Sequence, residues 1–381
     1  FGDLPYKHYT FIINFHHKPS GGLEHMNSQA VQMNPLGYRK KDKYMRFLSL
    51  ISHEFFHTWN VKRIKPDLFM DFDYEKEQYT PLLWVAEGIT SYYQDVILVR
   101  AGLMKPKRYF KTVAKGIKQL ENTPGRKVMS IAESSFDAWI KLYNANENAV
   151  NSLVSYYSKG ALVALLLDLS IRRDTGGKKS LDDVMKALYR RFWLKNKGIE
   201  KNSVKELTEE FTGKPYSSFF RDYVNGTKEL SFARLLSQFG LDLSEDNSPA
   251  KRLAEEYDEP VRAKIATLNA GLIEKNNKLK IRNVPLGGAA SEGGLNAGDE
   301  IVAVNGMRMS KEKLEDLIEC AKPGDLWRFI VFRGDQLRRF DVKLAGEKNV
   351  NYLISLKSKL SEKQKKLLKG WLKYKKFGEL K

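Results

Sequence analysis

Between residues 52 and 66 the chain reads S-H-E-F-F-H-T-W-N-V-K-R-I-K-P. His53 and His57 stand four positions apart, so on a helix they lie one above the other on a single face, with Glu54 beside them. This is the H-E-x-x-H spacing, in which two imidazoles hold Zn²⁺ and the glutamate acts as general base toward the attacking water. Two histidines leave a catalytic zinc one protein ligand short, because such sites have three plus an open position. Glu87 is the candidate for the third. Its segment is rich in apolar residues, among them Leu83, Trp84, Val96, Ile97 and Val99, and a carboxylate embedded there needs a partner. A zinc ion would be that partner, and the chemistry it points to is hydrolysis.

Three elements must hold these groups. From Asp42, which fits an N-cap, no Gly or Pro occurs until Pro66, and the spacing predicts a helix carrying the histidines. Met45, Leu48, Ile51 and Phe55 form its expected buried stripe, which leaves His53 and His57 on another side, where a cleft can open. Residues 82–103 form a second helix-like segment, stopped at Gly102. Upstream, Y-K-H-Y-T-F-I-I-N-F-H-H alternates and reads as a strand. It is followed by Gly21 and Gly22, a pair that lets backbone approach a ligand closely, and then by Glu24. Taken alone, that stretch fits an ordinary turn with a surface glutamate. His16, His17 and His25 lack metal-ligand spacing and read as strand or loop residues.

A chain of 381 residues with 42% hydrophobic content can bury two or three cores. The single cysteine, Cys320, excludes an internal disulfide framework and leaves the compartment open between cytoplasm and periplasm, with the cytoplasm favoured. No apolar run approaches the ~18 residues of a membrane span; the run 161–169 is short and interrupted by Asp168. The chain opens on Phe1, without a signal-peptide pattern, and reads as a fragment or a processed chain. The net charge of +19 is spread along the sequence without a nucleic-acid-binding module, so a basic solvated surface is expected and no nucleic-acid partner. In the lysine-rich tail, Leu360, Leu367, Leu368, Trp371 and Leu372 predict a basic amphipathic helix docked on the body.

Residues 104–250 are helical in pattern, with amphipathic helices expected over 180–193 and 203–224. From about Asp258 the pattern changes to short β-like runs with Gly-rich turns and a helix over 310–321, a small β-domain with two helices.

The stretches H-E-F-F-H-T-W-N-V-K-R-I-K-P and W-V-A-E-G-I-T-S-Y-Y together resemble the glycyl aminopeptidase family, gluzincin metallopeptidases with a C-terminal PDZ domain. The spacing from His57 to Glu87, 87 − 57 = 30 positions, suits that family better than thermolysin or aminopeptidase N relatives. The run A-G-D-E-I-V-A-V-N-G resembles the core of bacterial PDZ domains. Tyr157-Ser158-Lys159-Gly160 is similar to the Y-x-K-G motif of aminopeptidases, whose tyrosine donates a hydrogen bond to the oxyanion; Tyr156 is its rival. The stretch G-G-L-E-H is similar to the family's amine-binding segment, which makes Glu24 the anchor of the substrate α-amine and the backbone of Gly21 and Gly22 a binder of its main chain.

The resemblance implies an α+β fold: a thermolysin-like catalytic subdomain over 1–103, a helical subdomain over 104–250 completing the active site, a PDZ domain over 258–346 and a basic C-terminal helix within 351–381. A β-rich domain normally precedes this point in the family. The implied function is a zinc-dependent aminopeptidase, one Zn²⁺ per chain, acting on peptides with a free N-terminus and preferring Gly or Ala. The PDZ domain would take a peptide or an intramolecular ligand. Two positions depart from the pattern: Gln94, where an acidic residue is expected before Asp95, and Ala270 in the loop 269–272 that would bind a peptide carboxylate. The alternatives are a zinc endopeptidase with the same core and a PDZ-mediated peptide-binding protein with a vestigial zinc site.

Overall fold

A computed structural model describes residues 1–19, 21–246, 264–348 and 351–374. The boundary expected between 250 and 258, and residues 375–381 of the tail, lie outside the described residues.

Three short strands open the chain: β1 (Thr10–Phe15), β2 (Gly22–Glu24) and β3 (Ser28–Met33), in the order β1-β3-β2. β1 runs parallel to β3 and β2 antiparallel to it. Alternation in β1 predicts one buried face, yet all six of its residues are exposed: Phe11 meets the Phe55 ring and Phe15 the Tyr38 ring without being covered by them. β3 does alternate: Val31 and Met33 are buried against Phe47, with Leu50 and Ile51 packed around them.

That contact seats α1 (Lys41–Phe56), the helix of the two histidines. Its N-cap is Lys40; Asp42 lies inside the first turn, where its charge complements the helix dipole without capping a backbone N–H. The expected stripe of Met45, Leu48, Ile51 and Phe55 is only half-buried, while Phe47, Ser52, Glu54 and Phe56 are fully buried. The cause is two-sided packing, on the small sheet near Phe47 and on the main core near Phe56.

Residues Trp84–Gly88 form a single π-turn that runs into α2 (Ile89–Arg100). A π-turn admits one residue more than an α-turn and so rotates Glu87 relative to the helix that follows. α3 (Pro106–Glu121) packs on α4 (Ser158–Asp174), the central helix, which is buried on nearly every side. Gly88 and Gly160 let the π-turn and α4 approach backbone to backbone. Asp168, which interrupts the apolar run of α4, is fully buried and fully engaged. It accepts from Arg172 Nε at 3.0 Å, Tyr92 OH at 2.5 Å and the Leu181 N–H of α5 (Leu181–Arg191) at 2.8 Å.

The small β-domain has its own core of buried residues from Ala266 to Leu344. Its main sheet runs β11-β10-β8-β7-β6 over Gln336–Lys343, Leu326–Arg333, Glu300–Val304, Lys278–Asn283 and Gly271–Lys275, with β9 (Met307–Arg308) on β8. The strand β5 (Lys264–Thr267) pairs with β12 (Ala345–Lys348), and helix α6 (Lys311–Cys320) starts at Ser310, whose hydroxyl accepts from the Lys313 N–H.

This domain is inserted into the body of the protein and does not simply follow it. The strand β4 (Leu241–Asp246), which leads into it, pairs antiparallel with β13 (Asn351–Leu356), which leaves it. Beyond β13, helix α7 (Glu362–Leu372) buries Leu367, Leu368, Trp371 and Leu372 in the same core as α2 and α4. Trp371 Nε1 donates to Tyr92 OH at 2.9 Å, and the guanidiniums of Arg100 and Arg172 donate to the carbonyls of Trp371 and Gly370. Asn151, ahead of α4, spends both ends of its amide on the inserted domain: its Nδ2 donates to the Val284 carbonyl at 2.9 Å and its Oδ1 accepts from the Leu286 N–H at 2.8 Å.

Candidate metal centre and active site

His53 and His57 reach the same cleft because both stand on one face at the C-terminal end of α1, with His57 as its C-cap residue. Glu87 comes to them from the π-turn. Its Oε2 lies 3.1 Å from His53 Nε2 and 3.3 Å from His57 Nε2. Each imidazole is oriented from behind. His53 Nδ1–H donates to Gln94 Oε1 at 2.9 Å, and His57 Nδ1–H to the Asn60 carbonyl at 2.6 Å. With Nδ1 committed on both rings, both Nε2 atoms face Glu87, and one atom from each of the three side chains lies within 4.8 Å of the other two. Two imidazole nitrogens and a carboxylate oxygen converging in this way suit a divalent transition metal of the zinc type.

The three side chains are electrostatically coupled through Glu87. Burial would raise the Glu87 carboxyl, but hydrogen bonds from His53 and His57 hold it down at about 2. Burial would lower His57, yet its hydrogen bond to Glu87 carries it up to about 9. Glu54 is buried beside them and desolvation holds its carboxyl above the usual range.

Asn60 links the segment that carries the two histidines to the one that carries Glu87. Its Nδ2 lies 2.8 Å from the Val85 carbonyl, 3.1 Å from the Ala86 carbonyl and 3.0 Å from Thr90 Oγ1, so the turn after His57 is tied to the turn that carries Glu87. Arg63 anchors the same turn to the start of the chain through the carbonyls of Thr58, Met26 and Pro5.

The cleft has a volume of about 760 Å³. Gly21, Gly22 and Glu24 line one side, on and beside β2, which is an edge strand of its sheet. Gly22 lies so near Glu54 that a Cβ there would fall 2.6 Å from Glu54 Oε1. Glu24 has a carboxylate oxygen within 4.8 Å of both Glu54 and His57, and Lys62 Nζ lies 3.8 Å from it. Of the two adjacent tyrosines, Tyr157 lines the cleft, its ring 6.5 Å from that of His53, whereas Tyr156 is buried in the main core. Tyr143 lies at 3.1 Å from the Tyr157 hydroxyl and 3.2 Å from that of Tyr156. Burial pushes both Tyr156 and Tyr157 well above the usual phenol range, so each stays a neutral donor. His16, His17 and His25 are exposed, and among the described residues none joins a cluster able to hold a metal ion.

A model of the M61 glycyl aminopeptidase family matches residues 46–163, which include His53, Glu54, His57, Glu87 and Tyr157. The chain carries an M61 glycyl aminopeptidase domain. A PDZ domain model matches residues 266–344, the inserted domain. Among solved structures, an aminopeptidase N family protein from Idiomarina loihiensis is 34% identical with a TM-score of 0.84, over 97% of this chain and 62% of that one. The present chain thus spans less than two thirds of that protein's length. A serine endoprotease from Yersinia pestis is 19% identical over 26% of this chain and 36% of that one, with a TM-score of 0.23, too slight a likeness to bear on the fold. A search of the curated proteins finds no match.

Within the M61 domain, three groups at the site carry no signal that spacing alone exposes. Asn60 and Arg63 stand inside the H-E-x-x-H stretch, but their partners lie on segments far away in sequence. Tyr143 sits in an irregular segment beyond a second π-turn, and only the fold brings it to Tyr157. Gln94, the departure from the expected acidic residue, proves to be the acceptor for His53.

Proposed function

We propose that this chain is a zinc-dependent aminopeptidase of the gluzincin type, with a thermolysin-like catalytic domain, that removes N-terminal residues from peptides and prefers Gly or Ala. The observation that carries the reading is the convergence of His53, His57 and Glu87 beside Glu54, with both imidazoles oriented through Nδ1. His53, His57 and Glu87 would hold the Zn²⁺, which supplies Lewis-acid polarisation of a carbonyl and a lowered pKa for water.

The remaining work belongs to side chains of the cleft. Glu54 takes the proton of the attacking water on its carboxylate and passes it to the leaving amine; its burial makes it a stronger base than an exposed glutamate. The Tyr157 hydroxyl donates to the oxyanion as it forms. Glu24, next to Glu54 and His57, accepts hydrogen bonds from the substrate ammonium and thereby fixes cleavage one residue from the N-terminus. The free edge of β2 at Gly21 and Gly22 pairs with the substrate main chain. The preference for Gly rests on the family description, and Ala is the next smallest side chain.

The test is hydrolysis of a glycyl amide beside its N-acetylated twin, with and without a chelator, for wild type and Glu54→Gln. Chelator-sensitive cleavage of the free amine alone, lost in Glu54→Gln, is expected. Equal cleavage of the acetylated twin would replace this reading with an endopeptidase. Absence of stoichiometric zinc would leave peptide binding by the PDZ domain as the function.

A further inference from the structure

Resting on the aminopeptidase reading, we propose that the cleft selects peptides bearing a carboxylate two to three residues beyond the scissile bond, received by Arg46 with Arg108.

The direction of a bound peptide follows from where the groups stand on α1. Arg46, Ser49, Leu50 and His53 all line the cleft, at the spacing of one helix face, and His57 continues it. Glu24 clusters with Glu54 and His57, at the C-terminal end of that face. A peptide whose amine sits on Glu24 and whose first carbonyl lies at His53, His57 and Glu87 therefore continues along α1 toward its N-terminal end. Arg46 is seven residues from His53, roughly 10 Å at the helical rise. An extended chain covers that in about three residues.

The far end of the cleft is short of negative charge. Arg108 and Thr112 of α3 line the opposite wall there. Asp42 is the carboxylate that meets this cluster: Arg108 lies 2.7 Å from it, and Arg46 and Lys111 also act on it, three cations to one anion. The other carboxylate, Asp95, is buried and already accepts from Ser49 Oγ at 2.6 Å. Arg46 is exposed and has no hydrogen-bond or ion-pair partner among the described residues. A cleft with Glu24 at one end and an uncommitted guanidinium at the other matches a short zwitterion or a peptide with an acidic residue near its N-terminus. The shared chemistry is one carboxylate, from a side chain or a C-terminus.

The experiment measures binding to the Glu54→Gln variant by calorimetry, so that turnover is not required. The ligands are Gly-Ala-Ala as the free acid, its C-terminal amide, and Gly-Ala-Asp amide. Both carboxylate-bearing peptides should bind about two- to fivefold more tightly than the neutral amide at low ionic strength, as expected for an exposed ion pair, and high salt should shrink the difference. A preference shown by the free acid alone assigns the site to a C-terminus; one shown by both assigns it to either source. Adding Arg46→Glu should abolish the preference and favour Gly-Ala-Lys amide. Equal binding of acid and amide, or a preference that survives Arg46→Glu, overturns the proposal. Selective binding of acids, lost in Arg46→Glu, by a protein that cleaves none of these peptides as wild type would upset the aminopeptidase reading and leave only the carboxylate site at Arg46 standing.

Discussion

Gly88 and Gly160 meet backbone to backbone: a Cβ on Gly88 would lie 2.8 Å from the Gly160 Cα, and one on Gly160 would lie 2.9 Å from the Gly88 Cα. Gly88 follows Glu87, and Gly160 closes the Y-S-K-G segment that begins at Tyr157. The turn that carries Glu87 and the wall carrying the candidate oxyanion donor are thus set at a spacing that only two glycines permit.

Gly160→Ala is therefore expected to lower stability by about 1–3 kcal/mol, the range for overpacking. At an unhindered helix position the same change would stabilise by about 1 kcal/mol, so the sign of the shift in a denaturant titration separates the two cases. Activity should fall with it, because Glu87 and Tyr157 would be forced apart.

Gln94→Leu removes the acceptor that holds His53 Nδ1–H. Zinc affinity is expected to drop by about 10- to 100-fold, as for other groups that orient a metal ligand, measured by competition with a chromophoric chelator. Gln94→Glu, which keeps the acceptor and adds charge, should bind zinc at least as tightly as wild type.

Tyr157→Phe should reduce kcat by about 10²- to 10³-fold with KM little changed, the pattern for a donor that acts on the oxyanion. Tyr143→Phe removes the hydroxyl that lies between the two phenols and is expected to give a smaller loss. A steady-state comparison of both variants on a glycyl amide checks this.

Asp168→Ala would leave the buried Arg172 with only Asp182, 3.4 Å from its guanidinium, and strip acceptors from Tyr92 and the Leu181 N–H. Loss of one partner of such a buried pair costs about 3–5 kcal/mol, which should appear as a lower denaturant midpoint with an unchanged slope.

Lys159 is buried, and its Nζ has no hydrogen-bond partner. Burial, opposed by Glu229, brings its ammonium down from 10.5 to about 8. Below pH 8 the lysine is charged in both folded and unfolded chains. Between 8 and 10.5 the folded protein releases the proton while the unfolded chain keeps it, so stability rises with pH in that window. Thermal unfolding of wild type against Lys159→Met should show this rise in the wild type and lose it in the variant.

The local motifs were legible in the sequence because they depend on spacing along one element. His53 and His57 needed only a helix; the strand and turn pattern marked a small β-domain, and the resemblance of its A-G-D-E-I-V-A-V-N-G run made it a PDZ domain. What spacing could not convey is contact across elements. The face of α1 that is buried depends on the small sheet beneath Phe47, and strand β2, three residues long, is too short to show a period. The π-turn at Glu87 has no signature separate from a helix. The partnership of β4 with β13 joins segments about a hundred residues apart, so the PDZ domain read as following the body when it is inserted into it.

The pairing of β4 with β13 places Asp246 directly across from Asn351, at the two points where the chain leaves the body and returns. The body's hydrophobic interior takes in residues on both sides of that seam, from β4, β13 and α7. A tight hairpin joining those two residues would splice the module out, and an unrelated domain with neighbouring termini could be grafted there in its place. The seam is a natural port for recombination, through which such a protein could change its cargo module over evolution while keeping one hydrophobic interior intact.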